Sequence, residues 1–104
     1  MSDKTWKQVE RSLARRLGGQ RVGCTGKAIA DVISDWLSIE VKTRKTLPAW
    51  LLSAIEQARD DDRLSMVILH QVGQRHDDDL VLIRLSDFEE WFGGYNGTQD
   101  DQAN

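Results

Sequence analysis

Apolar residues recur along the chain with two different periods, and the change of period marks the elements. Trp6, Val9, Leu13 and Leu17 fall at helical spacing, which predicts a first helix with these four on one stripe. Thr5-Trp-Lys-Gln8 reads as a capping box, with Thr5 as N-cap. Gly18-Gly19 ends the helix, because glycine accepts the left-handed conformation at a C-terminus. On a helical wheel Glu10 lies beside the stripe, at the edge of the buried face, with Arg11 and Arg15 further round.

The period then shortens. The Gly-rich stretch 18–26 predicts a turn with a short strand at 20–24, and two further strands follow at about 28–33 and 36–44. Ser34-Asp35 forms the tight turn between these two. The last strand has the clearest pattern: Leu37, Ile39 and Val41 alternate with Ser38, Glu40, Lys42 and Arg44. Alternate side chains leave a strand on opposite faces. Glu40 and Lys42 therefore emerge side by side, with the apolar trio on the other face.

Pro48 suits the first turn of a second helix, running to about Arg59 with Leu47, Leu51, Ala54, Ile55 and Ala58 as its apolar stripe. Asp60-Asp61-Asp62 ends it in an exposed turn. Two near-continuous apolar runs, 65–72 and 80–85, read as strands covered on both faces. Ser86-Asp-Phe-Glu89 is a second capping box, opening a short helix with Phe88, Trp91 and Phe92 inward and Gly93-Gly94 closing it. The polar stretch 95–104 reads as a disordered tail. The order is α-β-β-β-α-β-β-α: one α/β (α+β) domain over 1–94, a mixed central sheet flanked by helices.

Composition changes this picture little and charge changes it more. The chain has 104 residues, 39% hydrophobic and 30% charged, as expected of a soluble globular domain. No apolar run reaches the roughly 18 residues of a membrane span, so no membrane partner is expected. The N-terminal Met-Ser-Asp-Lys-Thr-Trp lacks a signal peptide's apolar stretch. Cys24 is the only cysteine, which points to a reducing compartment and hence the cytoplasm. The net charge of −3 hides an asymmetry: residues 1–45 carry ten lysines and arginines against five acids, the remainder four against twelve. Affinity for a polyanion follows the local field rather than the sum. A basic N-terminal half can face phosphates.

Candidate chemistry centres on Asp31, Glu40 and Lys42. If the two strands pair about residues 34–35, Asp31 comes level with residues 38–40. Two converging carboxylates can hold a hard divalent cation such as Mg²⁺. A lysine on the same face can orient or deprotonate a water and neutralise developing charge. Glu10 can add a carboxylate from the first helix. Taken alone, Glu-x-Lys on a strand is more often a solvated pair; the apolar strand, the nearby acid and the basic Arg44-Lys45 that follows raise its standing.

The stretch Gly26-Lys-Ala-Ile-Ala-Asp31-Val-Ile, then Leu37-Ser-Ile-Glu40-Val-Lys42-Thr-Arg-Lys45, resembles the core of the PD-(D/E)XK nuclease superfamily, and within it the small archaeal-type and phage Holliday-junction resolvases. The likeness runs from Trp6 to about Phe92. It includes Glu10-Arg11, a helix ending in Leu-Gly-Gly, and Gln57-Ala58 on the helix after Glu-x-Lys. Ala30 stands where the motif's name has proline. The resemblance implies a restriction-endonuclease-like core, with Asp31, Glu40 and the Val41 carbonyl as metal ligands. It makes Lys42 the catalytic lysine and Glu10 the helical acid. It implies Mg²⁺, with Mn²⁺ able to substitute, and a homodimer acting on branched four-way DNA junctions, with Gln57 as a further polar contact.

Arg11, Arg15, Arg16, Arg21, Lys27, Arg44 and Lys45 are the expected phosphate contacts. His70 reads as a satisfied structural histidine. His76 with Asp77-Asp78-Asp79 invites a metal reading, but an acidic run between strands is more often a solvated loop. Cys24 reads as a small buried or half-buried residue. All four tryptophans read best as core, with stacking on DNA as the alternative for Trp36 and Trp50. Three functions remain in competition: a junction-selective endonuclease, a general or flap/nick-directed nuclease of the same chemistry, and a non-catalytic nucleic-acid-binding module.

Overall fold

A computed structural model of the chain describes residues 2–23 and 29–93, the first three of them by backbone alone. Cys24, Gly26, Lys27 and Ala28 lie outside the described residues, and so does the expected tail 95–104. The chain is a small mixed α/β protein, with α1 (Ser2–Arg16), β1 (Gln20–Arg21), β2 (Val32–Ile33), β3 (Ser38–Ile39), α2 (Ala49–Gln57), β4 (Val67–Leu69), β5 (Leu80–Leu82) and α3 (Leu85–Phe88). A 3-10 turn (His76–Asp78) precedes β5, and a π-type turn (Glu89–Gly93) follows α3.

Among the described residues the strands do not join in the single mixed sheet that was expected. They form a three-stranded sheet in the order β1-β2-β3 and a separate two-stranded sheet, β4-β5, both antiparallel. The connections inside each sheet are shorter than the dozen or so residues of a parallel crossover. Contacts gather the chain into two compact units, the first built on Met1–Lys45 and the second on Thr46–Gly94. Among the described residues no helix is long and apolar enough to cross a membrane.

In the first unit, α1 packs on β1 and β2. It starts at Ser2, so Thr5 is inside the helix and is not its N-cap; Ser2-Asp3-Lys4 contains nothing that breaks a helix. Its end follows the sequence closely. Gly19 donates to the Ala14 carbonyl (2.8 Å) and Gly18 to that of Arg15 (3.4 Å), the bonding of a Schellman cap, with Gly18 at φ +71°. The buried side of α1 is Glu10, Ala14 and Leu17, with Val9 and Leu13 half-buried and Trp6 exposed. The helix is thus turned so that Glu10 lies inside the buried face and not at its edge.

Gly19 lies hard against β2. A Cβ there would stand 2.8 Å from the Ile33 carbonyl oxygen and 3.1 Å from Val32 Cγ1, and Val32 is 0% exposed. The β2–β3 turn is fixed by Ser34: its N–H donates to the Leu37 carbonyl (2.9 Å), and its hydroxyl accepts from the Leu37 N–H (3.1 Å). Val32 pairs with Ile39 and Ile33 with Ser38. Asp31 also donates its N–H to the Ile39 carbonyl (2.8 Å). Two successive residues therefore face one, which is a β-bulge.

In the second unit, Pro48 is the N-cap of α2, and its carbonyl accepts from the Leu51 and Leu52 N–H groups. Ile55 is the buried residue of that helix. Arg84 precedes α3 as N-cap, so Ser86 is in the first turn and the expected capping box does not form. The chain enters that helix directly from extended backbone at Arg84, which leaves Ser86 two residues past the N-cap. The paired Ile68 and Val81 are 51% and 55% exposed, so this sheet is not covered on both faces. Trp36, Trp50, Trp91 and Phe92 are exposed as well. With two two- or three-stranded sheets in place of one larger sheet, there is too little interior for them.

The close approach at Gly19 gives a direct test by urea unfolding. Gly19→Ala is expected to cost about 1–3 kcal/mol by overpacking, and Gly18→Ala about 1–2 kcal/mol through its left-handed backbone. Gly23→Ala, with open space around the added methyl, should leave the midpoint almost unmoved. Equal midpoints for the Gly19 and Gly23 variants would refute the contact.

Candidate active site

The bulge decides where Asp31 points. Its Oδ2 accepts the Val41 N–H at 2.7 Å, so the carboxylate serves as backbone acceptor to the chain that continues β3. From Leu37 to Lys42 half-buried and exposed residues still alternate, which places Glu40 and Lys42 on one exposed side. Lys42 Nζ lies 3.1 Å from Glu40 Oε2, with the side chains 66% and 49% exposed.

Glu10 comes to the same place from α1. Its Oε1 accepts from Arg21 Nε at 2.6 Å, in a pair shielded from water on the Glu10 side. The Arg21 guanidinium also lies over the Trp6 ring, 5.8 Å from its centre, within cation–π range. Trp6, Glu10, Asp31, Glu40, Val41, Lys42, Thr43 and Arg44 together line a polar depression of about 310 Å³.

The donors here are carboxylate and carbonyl oxygens, the ligand type that suits a hard cation such as Mg²⁺. Each acid, however, has its own compensation: Arg21 for Glu10, the Val41 N–H for Asp31, Lys42 for Glu40. Among the described residues, the trio of metal-type side chains drawn closely together is a different one, His70, His76 and Asp79. Three mutually repelling carboxylates take separate partners unless a cation supplies the opposing charge.

Most of the residues singled out from the sequence can be placed. Glu10, Asp31, Glu40, Val41 and Lys42 share the depression. Arg44 lines its rim, where its guanidinium donates to the Thr43 carbonyl (3.0 Å), and Lys45 is exposed next to it. Arg11, Arg15 and Arg16 are exposed on α1. Arg21 is engaged by Glu10 through its Nε and keeps 25% of its side chain exposed. Lys27 falls outside the described residues. Gln57 ends α2 in the second unit, exposed, and does not line the depression.

Sequence reasoning missed Arg21 as the partner of Glu10, and Trp6 as a wall of the site. It raised a metal role for His76 with the aspartates at 77–79 but did not join His70 to them. Leu69 pairs with Leu80, and continuing that register by one step sets His70 against Asp79. A hairpin drawn between the two apolar runs would have revealed that pairing.

Comparison of the chain with protein-family models, with curated proteins and with solved structures finds no match.

The two ion pairs should differ sharply in what they contribute. Glu10→Gln removes a shielded, charge-assisted bond and is expected to cost about 1.5–3 kcal/mol. Lys42→Ala breaks an exposed pair and should cost less than about 1 kcal/mol. Chemical denaturation of the two variants checks this, and the reverse ranking would contradict the assignment of burial.

Proposed function

We propose that the protein is a Mg²⁺-dependent DNA endonuclease with a PD-(D/E)XK-like, restriction-endonuclease-like core, acting as a homodimeric Holliday-junction resolvase in the cytoplasm. The observation that carries this reading is the meeting of Glu10, Asp31, Glu40 and Lys42 around Val41 in one polar depression. The similarity of the Asp31 and Glu-x-Lys segments to that superfamily supplies the reaction class. The dimer follows from the substrate, since a two-fold junction needs paired cuts and one small subunit has one site.

In this reading Asp31 and Glu40 hold the cation, together with the Val41 carbonyl. Asp31 is prepositioned by the Val41 N–H, and Mn²⁺ substitutes for Mg²⁺. When bound, Mg²⁺ polarises the phosphodiester and makes water a stronger nucleophile at neutral pH. Lys42 orients the attacking water and offsets charge on the phosphate oxygens. Glu10, released from Arg21, completes the acidic set. Arg44 and Lys45 meet phosphates flanking the cut, and Arg11, Arg15 and Arg16 extend that track along α1. Binding through such contacts weakens steeply with salt.

A second reading is favoured by one specific feature. Each acid is already compensated by a partner of its own, as suits a nucleic-acid-binding module without catalysis. A general or flap-directed nuclease shares the chemistry of the first reading and differs only in substrate.

Incubation with four-way, flap, nicked and linear DNA in Mg²⁺ or Mn²⁺ tests all three. Symmetric nicking of the four-way junction is expected. Lys42→Ala and Asp31→Asn should each slow cutting by about 10²–10⁴-fold while junction binding persists. Cutting of all four substrates alike would make it a general nuclease. Metal-independent binding with no strand cleavage would leave only the module.

A further inference from the structure

The β4–β5 hairpin brings together side chains that the nuclease reading does not use. His70 follows β4 directly and Asp79 precedes β5, opposite one another, while the 3-10 turn carries His76 back toward them. His70 Nδ1 lies 2.6 Å from Asp79 Oδ1, and His76 Nδ1 lies 2.9 Å from Asp79 Oδ2. The two imidazole centres are 4.8 Å apart. One ligand-type atom from each of the three residues falls within 4.8 Å of the others. These are the only two histidines in the chain.

We propose that His70, His76 and Asp79 form a binding site for a divalent transition-metal ion of the Zn²⁺, Co²⁺ or Ni²⁺ type. Two imidazoles and one carboxylate make a borderline-soft donor set, which favours these ions over Mg²⁺. The hydrogen-bonded atoms stand 2.6 and 2.9 Å apart and the whole trio falls within 4.8 Å, so small side-chain rotations must bring them to the roughly 3.4 Å separation of tetrahedral ligands about 2.1 Å from a common centre. Asp79 is held for the purpose by both rings and is only 11% exposed at its side chain, whereas His76 is 85% exposed. The ion takes the place of the hydrogens now shared between ring nitrogens and carboxylate, and each imidazole then carries its proton on Nε2. Three protein ligands leave further coordination positions for water or another donor. Gln71, Gln74 and Asp78 line a depression with His70 on the same hairpin. Bound there, the ion closes the loop from His70 to Asp79.

The test uses the untagged full chain with Mg²⁺ at saturating concentration, titrated with Zn²⁺ by calorimetry and followed by the imidazole resonances in NMR. One equivalent of Zn²⁺ is expected, moving both histidine signals together. His76→Ala, exposed enough to leave the fold intact, and His70→Ala should each lower the affinity at least about tenfold. Asp31→Asn should leave it unchanged. Equal affinity in the wild type and both histidine variants would overturn the proposal and leave a plain hydrogen-bonded trio. Loss of the equivalent in Asp31→Asn would overturn it too, by putting the ion among the other acids.

Discussion

The Asp31 N–H, bonded to the Ile39 carbonyl beside the Val32–Ile39 pair, sets the arrangement of the first unit. If the β2–β3 register ran on unbroken, Asp31 would stand directly opposite Glu40, and like charges facing one another across a ladder are destabilising. The bulge offsets them. Val32 keeps its place as Ile39's partner and is wholly buried beneath Gly19. Asp31 is carried aside until its carboxylate meets the Val41 N–H. A single irregularity therefore seats the core residue and aims the acid beside it.

The elements of this chain were legible because they depend on local rules. Gly18-Gly19 ends α1 by cap chemistry that two residues specify, and the alternation from Leu37 to Lys42 needs only the geometry of a strand. The common location of Glu10, Asp31, Glu40 and Lys42 followed from spacing and from the resemblance of two short segments. What was not legible depends on pairing. The bulge leaves no mark in hydrophobic pattern, since Asp31 and Val32 would look the same in a regular strand. The Arg21–Glu10 pair was hidden because the two residues lie eleven positions apart on different elements. The exposed tryptophans reflect the division of the strands into two small sheets, which no periodicity encodes.

Two acidic clusters of different character come out of this division. Around Val41 the donors are oxygens, and cationic side chains balance two of the three acids. At the tip of the β4–β5 hairpin one carboxylate is shared by two imidazoles. The first arrangement suits an ion that keeps most of its water and reaches a phosphate through it. The second suits an ion that exchanges water for nitrogen. Ligand hardness, rather than total charge, separates them. The acidic excess in the second half of the sequence therefore says little about where anions or cations bind.

Among the described residues, the buried apolar side chains are Ala14, Leu17 and Val32 in the first unit and Ile55 in the second. Apolar burial is the dominant favourable contribution to folding, and so short a roster leaves a narrow margin over conformational entropy. Anything that binds only the native form widens that margin by mass action. Persistence in the face of proteases and heat would then rise with any ligand selective for the folded form, and the protein's lifetime would become a readout of that ligand's abundance.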